Sequence, residues 1–381
     1  MRIVSARGMI IRCRLPEAIG NSRQFHEEWT AFLIQLETDG GLFGWGENTF
    51  LPHAVSAHVR HRLLPALMGK DPTAVLPLFR AMERTVGYDR RGAAMMAISA
   101  ADMAIWDLAG RALGVPVATL LGGAVRDRVT AYASGPFMRR GPDPYARYEA
   151  EVSDYLKAGF RAFKIRAGID PAADEAIIRR LRDLAGPDIA IALDINQGYL
   201  VRTALELDER LRGLGVLWIE EPIQPDDIAG YRFLAGKMHA PLAGGEALAG
   251  LKAFADFLSP RTFDIVQPDL SICGGFTVAR AIAALGEAND VPVISHTFGT
   301  PINFFASLQL AAVLPEHRLT AGLGYPLLEY DVGENAMRQR LPITPVSADG
   351  TVAIPDRPGI GFEVDRAAFE PFIVEHWEEH L

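Results

Sequence analysis

The chain has 381 residues, 49% of them hydrophobic and 22% charged, so it can bury a large core and lies far from disordered compositions. Its net charge of −9, without any Lys/Arg run, argues against a nucleic-acid or anionic-membrane surface. Two cysteines, Cys13 and Cys273, provide neither a disulfide framework nor a thiolate metal site. Any metal must therefore be bound by oxygen or imidazole.

Targeting signals are not recognisable in the sequence. No signal-peptide pattern opens it, and the most apolar stretch, residues 95–106, is interrupted by Asp102. We therefore expect a cytoplasmic protein that makes no membrane contact. The length suggests one large domain with a second one attached.

The first 125 residues are typical of an α+β unit. Strands are predicted at residues 3–12 and 30–37, with a Gly-rich turn at residues 39–41. A helix is predicted from Ala93 to Leu113, because Gly114 and Pro116 follow its apolar pattern.

From about Val129 the pattern changes to short apolar strands that alternate with amphipathic helices, as in parallel βαβ units. Eight such strands favour a closed barrel over an open sheet. They are predicted at residues 130–133, 162–166, 190–194, 216–220, 241–246, 264–267, 292–296 and 319–322. Residues 346–381 include a strand-like segment at 351–354 and are expected to pack back on the N-terminal unit.

In a (β/α) barrel the carboxyl ends of the strands converge on one site. Asp194, Glu220 and Glu246 follow one another at intervals of 26 residues, about one βα unit, so three neighbouring strands would each present a carboxylate at one height. Such carboxylates repel one another unless a cation lies between them. Oxygen ligands select a hard ion, so we predict a Mg²⁺ site, with Mn²⁺ as the alternative.

Four further residues complete the predicted catalytic group. Lys164 and Arg166 are two positions apart on one strand, so their side chains share a side. Asp269 and His296 follow strands six and seven and are expected opposite them. An Asp beside a His fixes the imidazole tautomer and raises its basicity. We predict His296 as the general base, with Lys164 and Arg166 neutralising an anionic substrate.

Three residues carry weaker signals. Asn196 and Glu221 stand beside predicted metal ligands and could orient them or contact substrate, although ordinary loop roles are equally compatible. Glu329, placed after the predicted eighth strand, could hydrogen-bond a substrate carboxylate or hydroxyl, or could lie at the surface.

The motifs Lys-x-Arg, Asp-x-Asn, Trp-x-Glu-Glu-Pro, Gly-Gly-Glu, Gln-Pro-Asp and Ser-His resemble, in this order, the mandelate racemase subgroup of the enolase superfamily. Within it the chain is most similar to galactarolactone cycloisomerase and the acid-sugar dehydratases. The resemblance implies an α/β fold, a TIM-type (β/α)7β barrel with an α+β capping domain. Residues 1–125 would form the cap, 126–345 the barrel, and 346–381 a segment returning to the cap.

The resemblance also implies site roles: Mg²⁺ binding by Asp194, Glu220 and Glu246, and acid/base catalysis by Asp269 and His296. The loops at residues 19–25 and 49–54 would select the substrate. The expected partner of the protein is a small-molecule carboxylate, a sugar acid or lactone from carbohydrate acid catabolism. A homo-oligomer is expected, with no nucleic acid.

One position departs from the family pattern: Arg166 stands where the racemases carry a second lysine. A guanidinium is rarely deprotonated, so catalysis by two bases is disfavoured. We expect removal of the proton next to a carboxylate, giving an enediolate, then loss of water from a sugar acid or ring opening of a lactone. The alternatives are a racemase or epimerase of a hydroxy acid, and a non-catalytic pseudoenzyme.

Overall fold

Two sheets organise this computed structural model, which describes residues 1–318 and 323–381. The first is antiparallel, with strands in the spatial order Ile373–His380, Ile3–Gly20, Phe25–Thr38 and Phe43–Asn48. The second is a curled parallel sheet in the order Leu327–Asp331, Arg128–Ser134, Ala162–Arg166, Ala190–Asp194, Val216–Glu220, Leu242–Gly244 and Ile265–Val266. Thr351–Ala353 pairs antiparallel with Arg128–Ser134, and His317–Arg318 pairs antiparallel with Gly324–Tyr325 in a separate two-stranded sheet.

Helices fill the connections. In the N-terminal part they are Pro52–His58, the π-helix Val59–Leu63, Leu64–Leu67, Val75–Thr85, Ala93–Leu113 and Val117–Leu120. Those that follow the parallel strands are Tyr148–Lys157, Pro171–Ala185, Val201–Arg210, Ile228–Ala235, Leu251–Leu258, Gly275–Ala288 and Pro301–Ala311. Short helices at Ala336–Arg340 and Arg366–Phe369 and a 3₁₀ turn at Glu370–Phe372 lie near the C-terminus.

The predicted helix Ala93–Leu113 is confirmed and forms the centre of the N-terminal unit. It ends at Gly114, whose φ of 71° lies in the left-handed region that a glycine adopts at low cost. By length and composition this helix could cross a membrane, but 89% of its apolar window is buried inside the protein, as in a core helix.

The antiparallel sheet contains a strand that the sequence did not predict. Phe43–Asn48 has no β-branched residue and includes Gly44 and Gly46. These glycines let the sheet approach the core helix: a Cβ on Gly46 would lie 1.9 Å from the carbonyl oxygen of Ala100. Close packing therefore fixes this strand, and β-propensity does not reveal it.

The barrel strands predicted between residues 130 and 267 are present. The seventh is reduced to two parallel bridges, which join Val293 to Val266 and His296 to Asp269. The eighth was predicted at 319–322, which lies outside the described residues. The strand that pairs with Arg128–Ser134 is Leu327–Asp331, so Glu329 lies on a barrel strand instead of after one.

The C-terminal segment divides its contacts between the two sheets. Thr351–Ala353 packs against the barrel strand Arg128–Ser134, contrary to the expectation that it returns to the N-terminal unit. Ile373–His380 does return and pairs antiparallel with Ile3–Gly20.

Candidate active site

Three acids meet at the carboxyl ends of neighbouring barrel strands. Asp194 and Glu220 end two adjacent strands in register, and Glu246 follows the next strand. One oxygen from each lies within 4.8 Å of the others, and we call this group the acidic triad. Asp194 and Glu220 are fully buried, and burial raises the pKa of both carboxyl groups. Holding all three ionised therefore requires nearby positive charge.

Lys164 supplies part of that charge from beneath the triad. Its ammonium is bonded to Glu220 Oε1 and lies 3.0 Å from Glu329 Oε1 and 3.6 Å from Asp194 Oδ2. Burial alone would lower the pKa of Lys164, but Glu220 and Glu329 outweigh it and raise that pKa above its ordinary value. Lys164 is therefore a fixed cation that contacts protein carboxylates.

Arg166 is the second cation, and it faces outward. Its Nη1 lies 3.3 Å from Asp194 Oδ2, while Nη2 donates to Ser134 Oγ at 3.2 Å. The guanidinium stands 5.0 Å from the ring centroid of Phe137. Burial opposes the charge, but Asp194 and Glu329 raise the pKa of Arg166 further, so it cannot accept a proton near neutral pH.

Glu329 lies between the two sides of the site and is completely buried, so the surface alternative for it is wrong. It accepts hydrogen bonds from Ser134 Oγ at 2.6 Å and from the Thr297 N–H at 2.9 Å. Its Oε2 lies 3.9 Å from His296 Nε2. Burial would raise its pKa, but the charges of Lys164 and His296 hold the pKa of Glu329 well below its usual range.

His296 and Asp269 form a hydrogen-bonded pair. His296 Nδ1 lies 2.7 Å from Asp269 Oδ2, which leaves Nε2 directed at the triad, 3.1 Å from Glu246 Oε2. The other oxygen of Asp269 accepts from the Ser271 N–H at 2.6 Å and from Asn303 Nδ2 at 3.4 Å. These bonds fix the imidazole tautomer with its reactive nitrogen facing the acids.

Burial would lower the pKa of His296, but the charges of Glu246 and Glu329, with the bond to Asp269, raise it to about 10. Without a cation in the triad, His296 is thus an imidazolium that neutralises Glu246. A cation bound by Glu246 would remove that stabilisation and lower the pKa towards the range a general base needs.

A cavity of about 590 Å³ opens above these groups. Its inner wall is formed by Arg166, Asn196, Glu221, Glu246 and His296, whereas Lys164 does not reach it. The N-terminal unit forms the outer wall from both predicted loops, through Ile19, Gly20, Asn21, Arg23 and Gln24 of the first and Thr49 and Phe50 of the second. A small ligand would therefore lie between the two units.

Asn196 and Glu221 lie beside the triad, and both have strained backbone positions. Both have positive φ, 47° and 39°, as does Gln197 at 66°. Asn196 donates to both oxygens of Asp194, at 2.8 and 3.0 Å. Gln197 Nε2 donates to Glu221 Oε2 at 2.7 Å, and its own Oε1 accepts from Arg23 of the first loop at 2.6 Å. Two hydrogen bonds thus join the outer wall to Glu221, the chain neighbour of the triad residue Glu220.

The chemistry of the donor atoms fits a hard divalent cation. All three triad ligands are carboxylate oxygens, close enough for a single ion to contact each after a small adjustment. Glu246 Oε2, Glu221 Oε1 and Asn196 Oδ1 are buried acceptors without hydrogen-bond partners among residues 1–318 and 323–381. The 3.1 Å contact of Glu246 with His296 is an ion pair whose geometry is not that of a hydrogen bond. Buried acceptors of this kind fit a bound cation or a ligand that donates hydrogen bonds.

Sequence reasoning missed several supporting residues. Trp218 Nε1 and Gln267 Nε2 donate to Glu220 Oε2 at 2.9 and 2.6 Å and fix that carboxylate. Both stand in motifs recognised in the sequence, where polar side chains beside a ligand were the available signal. Ser134 and Gln197 gave no comparable signal, because their partners are distant in sequence.

The curled (β/α) sheet, the acidic triad and the histidine–aspartate pair together define a barrel enzyme with an acidic site suited to a divalent cation. Residues 9–122 match the mandelate racemase/muconate lactonizing enzyme N-terminal domain, and residues 147–368 match the enolase C-terminal domain-like family. The chain belongs to the mandelate racemase/muconate lactonizing enzyme family of the enolase superfamily, which confirms the sequence prediction of family, of barrel-and-cap fold class and of enzyme class.

Several named proteins align with almost the whole length of this chain. It is 32% identical over 374 residues to D-galactarolactone cycloisomerase of Agrobacterium fabrum, covering 98% of this chain and 99% of the relative. D-galactonate dehydratase of Verminephrobacter eiseniae is 36% identical over 348 residues, 88% of each chain. Among solved structures, 3,6-anhydro-D-galactonate cycloisomerase from Zobellia galactanivorans superposes with a TM-score of 0.87 at 28% identity, covering 98% of this chain and all of that one. A racemase from Streptomyces coelicolor with bound magnesium has the same TM-score, identity and coverage.

Proposed function

We propose that this enzyme removes the proton next to the carboxylate of a sugar acid or sugar lactone, and then expels water or opens the lactone ring. The observation that carries the proposal is the position of His296. Its Nδ1 is held by Asp269, and its Nε2 faces a cavity that also contains the triad residue Glu246 and the cation Arg166. The names of the relatives support the substrate class.

We propose that Asp194, Glu220 and Glu246 hold Mg²⁺, or alternatively Mn²⁺. When bound, the cation supplies Lewis-acid stabilisation of the negative charge that develops on the substrate carboxylate. Glu221 and Asn196 line the same wall with buried acceptor oxygens that lack partners in the part of the chain that the structure describes. Substrate hydroxyl groups are suitable donors for them, which favours a polyhydroxy acid over an apolar acid.

The protein groups divide the work of proton transfer. Arg166 faces the cavity and pairs with the substrate carboxylate, while Lys164 keeps the buried acids ionised from below. Neutral His296 accepts the α-proton at Nε2, and Asp269 stabilises the resulting imidazolium. His296 then donates a proton to the leaving β-oxygen, which departs as water or as the ring oxygen of a lactone.

Epimerisation is disfavoured because neither residue that the sequence offers as a second base, Arg166 or Lys164, is suited to that role. The position expected for it holds Arg166, whose pKa is raised, and Lys164 is buried beneath the acids. An epimerase would exchange solvent deuterium into substrate and its epimer without losing water. A dehydratase or cycloisomerase would form a 2-keto acid or an unsaturated product.

The test is a screen of hexarates, aldonates and their lactones with Mg²⁺ in D₂O. Keto-acid formation that His296→Asn abolishes is expected. Exchange with epimer formation would overturn the elimination assignment, and failure to convert any substrate would favour the pseudoenzyme.

We also propose residues 126–345 as the catalytic unit, covered by residues 1–125 and part of 346–381. The support is that the first hairpin and the segment after Asn48 form the outer cavity wall. A homo-oligomer, which size-exclusion chromatography would test, and a cytoplasmic location stay predictions.

A further inference from the structure

The last residues of the strand Phe43–Asn48 reach into the barrel segments that carry the histidine–aspartate pair. Glu47 Oε1 accepts from the Thr300 N–H at 2.9 Å, and Oε2 accepts from the same N–H at 3.2 Å and from the Thr300 hydroxyl. Thr300 follows His296 by one short segment and caps the helix Pro301–Ala311. The N-terminal unit thus holds the far end of the segment that begins at His296.

The next two residues, Asn48 and Thr49, also bond to these barrel segments. Asn48 Nδ2 donates to the carbonyl oxygen of Ser271 at 2.9 Å, and the N–H of Ser271 donates to Asp269 at 2.6 Å. Thr49 Oγ1 donates to the carbonyl oxygen of Phe298 at 3.1 Å. Three consecutive residues therefore contact both segments of the pair.

Glu47 is completely buried, and its place is closely fitted. A Cβ on Gly299 would lie 2.1 Å from Glu47 Oε1 and 3.0 Å from the Cβ of Asn303, so a side chain at position 299 would displace the carboxylate. Burying an acidic group that has no cation partner within the described ranges is costly, and apolar packing alone would not favour it. The cost is consistent with a role that needs a fixed acceptor at this point.

We propose that Glu47 is a positioning residue for catalysis, which holds residues 297–300 so that His296 keeps its alignment with Asp269 and the cavity. This rests on the proposed function, in which His296 is the base. The segment is fixed at its start by the Thr297 N–H bond to Glu329 and at its end by Glu47. Without the second anchor, His296 can shift, and a displacement of about 1 Å can cost about 100-fold in rate.

The chain contains a matched control. Asp102 is equally buried, accepts from the Thr277 N–H at 2.9 Å and from Thr277 Oγ1 at 2.7 Å, and also joins the N-terminal unit to the barrel. A Cβ on Gly275 would lie 2.4 Å from Asp102 Oδ2. This contact has the chemistry of the Glu47 contact but holds the helix Gly275–Ala288 instead of the segment after His296.

The experiment compares Glu47→Gln with Asp102→Asn in the full-length enzyme. Glu47→Gln is expected to lower kcat by about 10- to 100-fold with KM changed less than about 3-fold, because alignment is lost while binding groups remain. Amide hydrogen exchange in residues 297–300 should become faster. Asp102→Asn should leave kcat and this exchange near wild type even if it lowers Tm. Wild-type kcat in Glu47→Gln, or an equal loss of kcat in Asp102→Asn, would overturn the proposal.

A second pair of variants covers the case in which Glu47→Gln does not fold. Thr300→Ala removes the hydroxyl bond from the opposite side, and Thr300→Ser restores it, so kcat should fall in the first and recover in the second. The exchange measurement needs no substrate. If the wild-type enzyme converts no sugar acid, the proposed function fails, whereas unchanged exchange in Glu47→Gln and Thr300→Ala would reject the positioning role separately.

Discussion

Replacing His296 by Asn should separate catalysis from metal binding. General acid–base catalysis contributes about 10² to 10⁴ in rate, so kcat should fall by that factor. The affinity for Mg²⁺ should not fall when kcat falls. His296 Nε2 lies 3.1 Å from Glu246 Oε2, and the raised pKa of about 10 makes it an imidazolium that competes for a triad ligand. Its removal frees Glu246.

The same contact predicts a pH dependence of metal binding. A group whose pKa is raised in the metal-free protein releases its proton when a bound cation takes over its carboxylate partner. The affinity for Mg²⁺ therefore increases with pH. Between about pH 7 and about pH 9, wild-type Mg²⁺ affinity should rise by up to about tenfold per pH unit. In His296→Asn the slope contributed by this residue should disappear.

Isothermal titration calorimetry in two buffers of different ionisation enthalpy measures both the affinity and the number of protons released. His26→Asn is the matched control, because His26 lines the cavity but its pKa is lowered by burial, so it carries little charge to displace. It should keep the wild-type slope. An affinity in His296→Asn more than about tenfold below wild type, or an unchanged slope, would refute this reasoning.

Lys164→Met leaves buried carboxylates without their nearest cation. Urea denaturation without added metal should therefore show a free energy of unfolding about 3–5 kcal/mol lower than that of the wild type. A loss under about 1 kcal/mol would contradict this reasoning. Burial raises the pKa of Asp102 to about 7, so between about pH 4 and 7 the native state keeps a proton that the unfolded chain has lost, and stability falls as pH rises. Asp102→Asn should flatten that fall in Tm, and an identical pH profile would count against it. Arg23 lines the cavity without a carboxylate partner among residues 1–318 and 323–381, so Arg23→Gln should raise KM severalfold with kcat retained. Arg14→Gln, at an exposed position of the strand Ile3–Gly20 that precedes Arg23, should change neither constant. Equal KM values in both variants would exclude a binding role for Arg23.

The positions of the triad could be predicted because parallel strands repeat at a regular interval. Arg166 pairs with Asp194, and Asp194 pairs with Glu220, so residues that end these strands meet without any knowledge of loops. The closeness of Asp269 and His296 follows from the same rule, through one parallel bridge.

The remaining contacts depend on packing between segments far apart in sequence. Glu329 could not be placed because the local sequence does not show where its strand begins. Its neighbours in sequence also do not show that its carboxylate enters the centre of the site. Lys164 was expected to face the substrate, but its side chain points beneath the triad. Glu47 stands in a glycine-rich strand whose partner, Thr300, lies on another unit. Such distances are set by tertiary structure, and local patterns do not encode them.

The pairing of Ile373–His380 with Ile3–Gly20 has a consequence for biosynthesis. Leu381 also takes part, since its N–H donates to the carbonyl oxygen of Val4 at 2.8 Å. During translation, one hydrogen-bonding edge of Ile3–Gly20 stays unpaired until the barrel and then Ile373–His380 have been synthesised. Exposed edges recruit other chains, so this interval is when aggregation competes with folding and when a chaperone would have most effect.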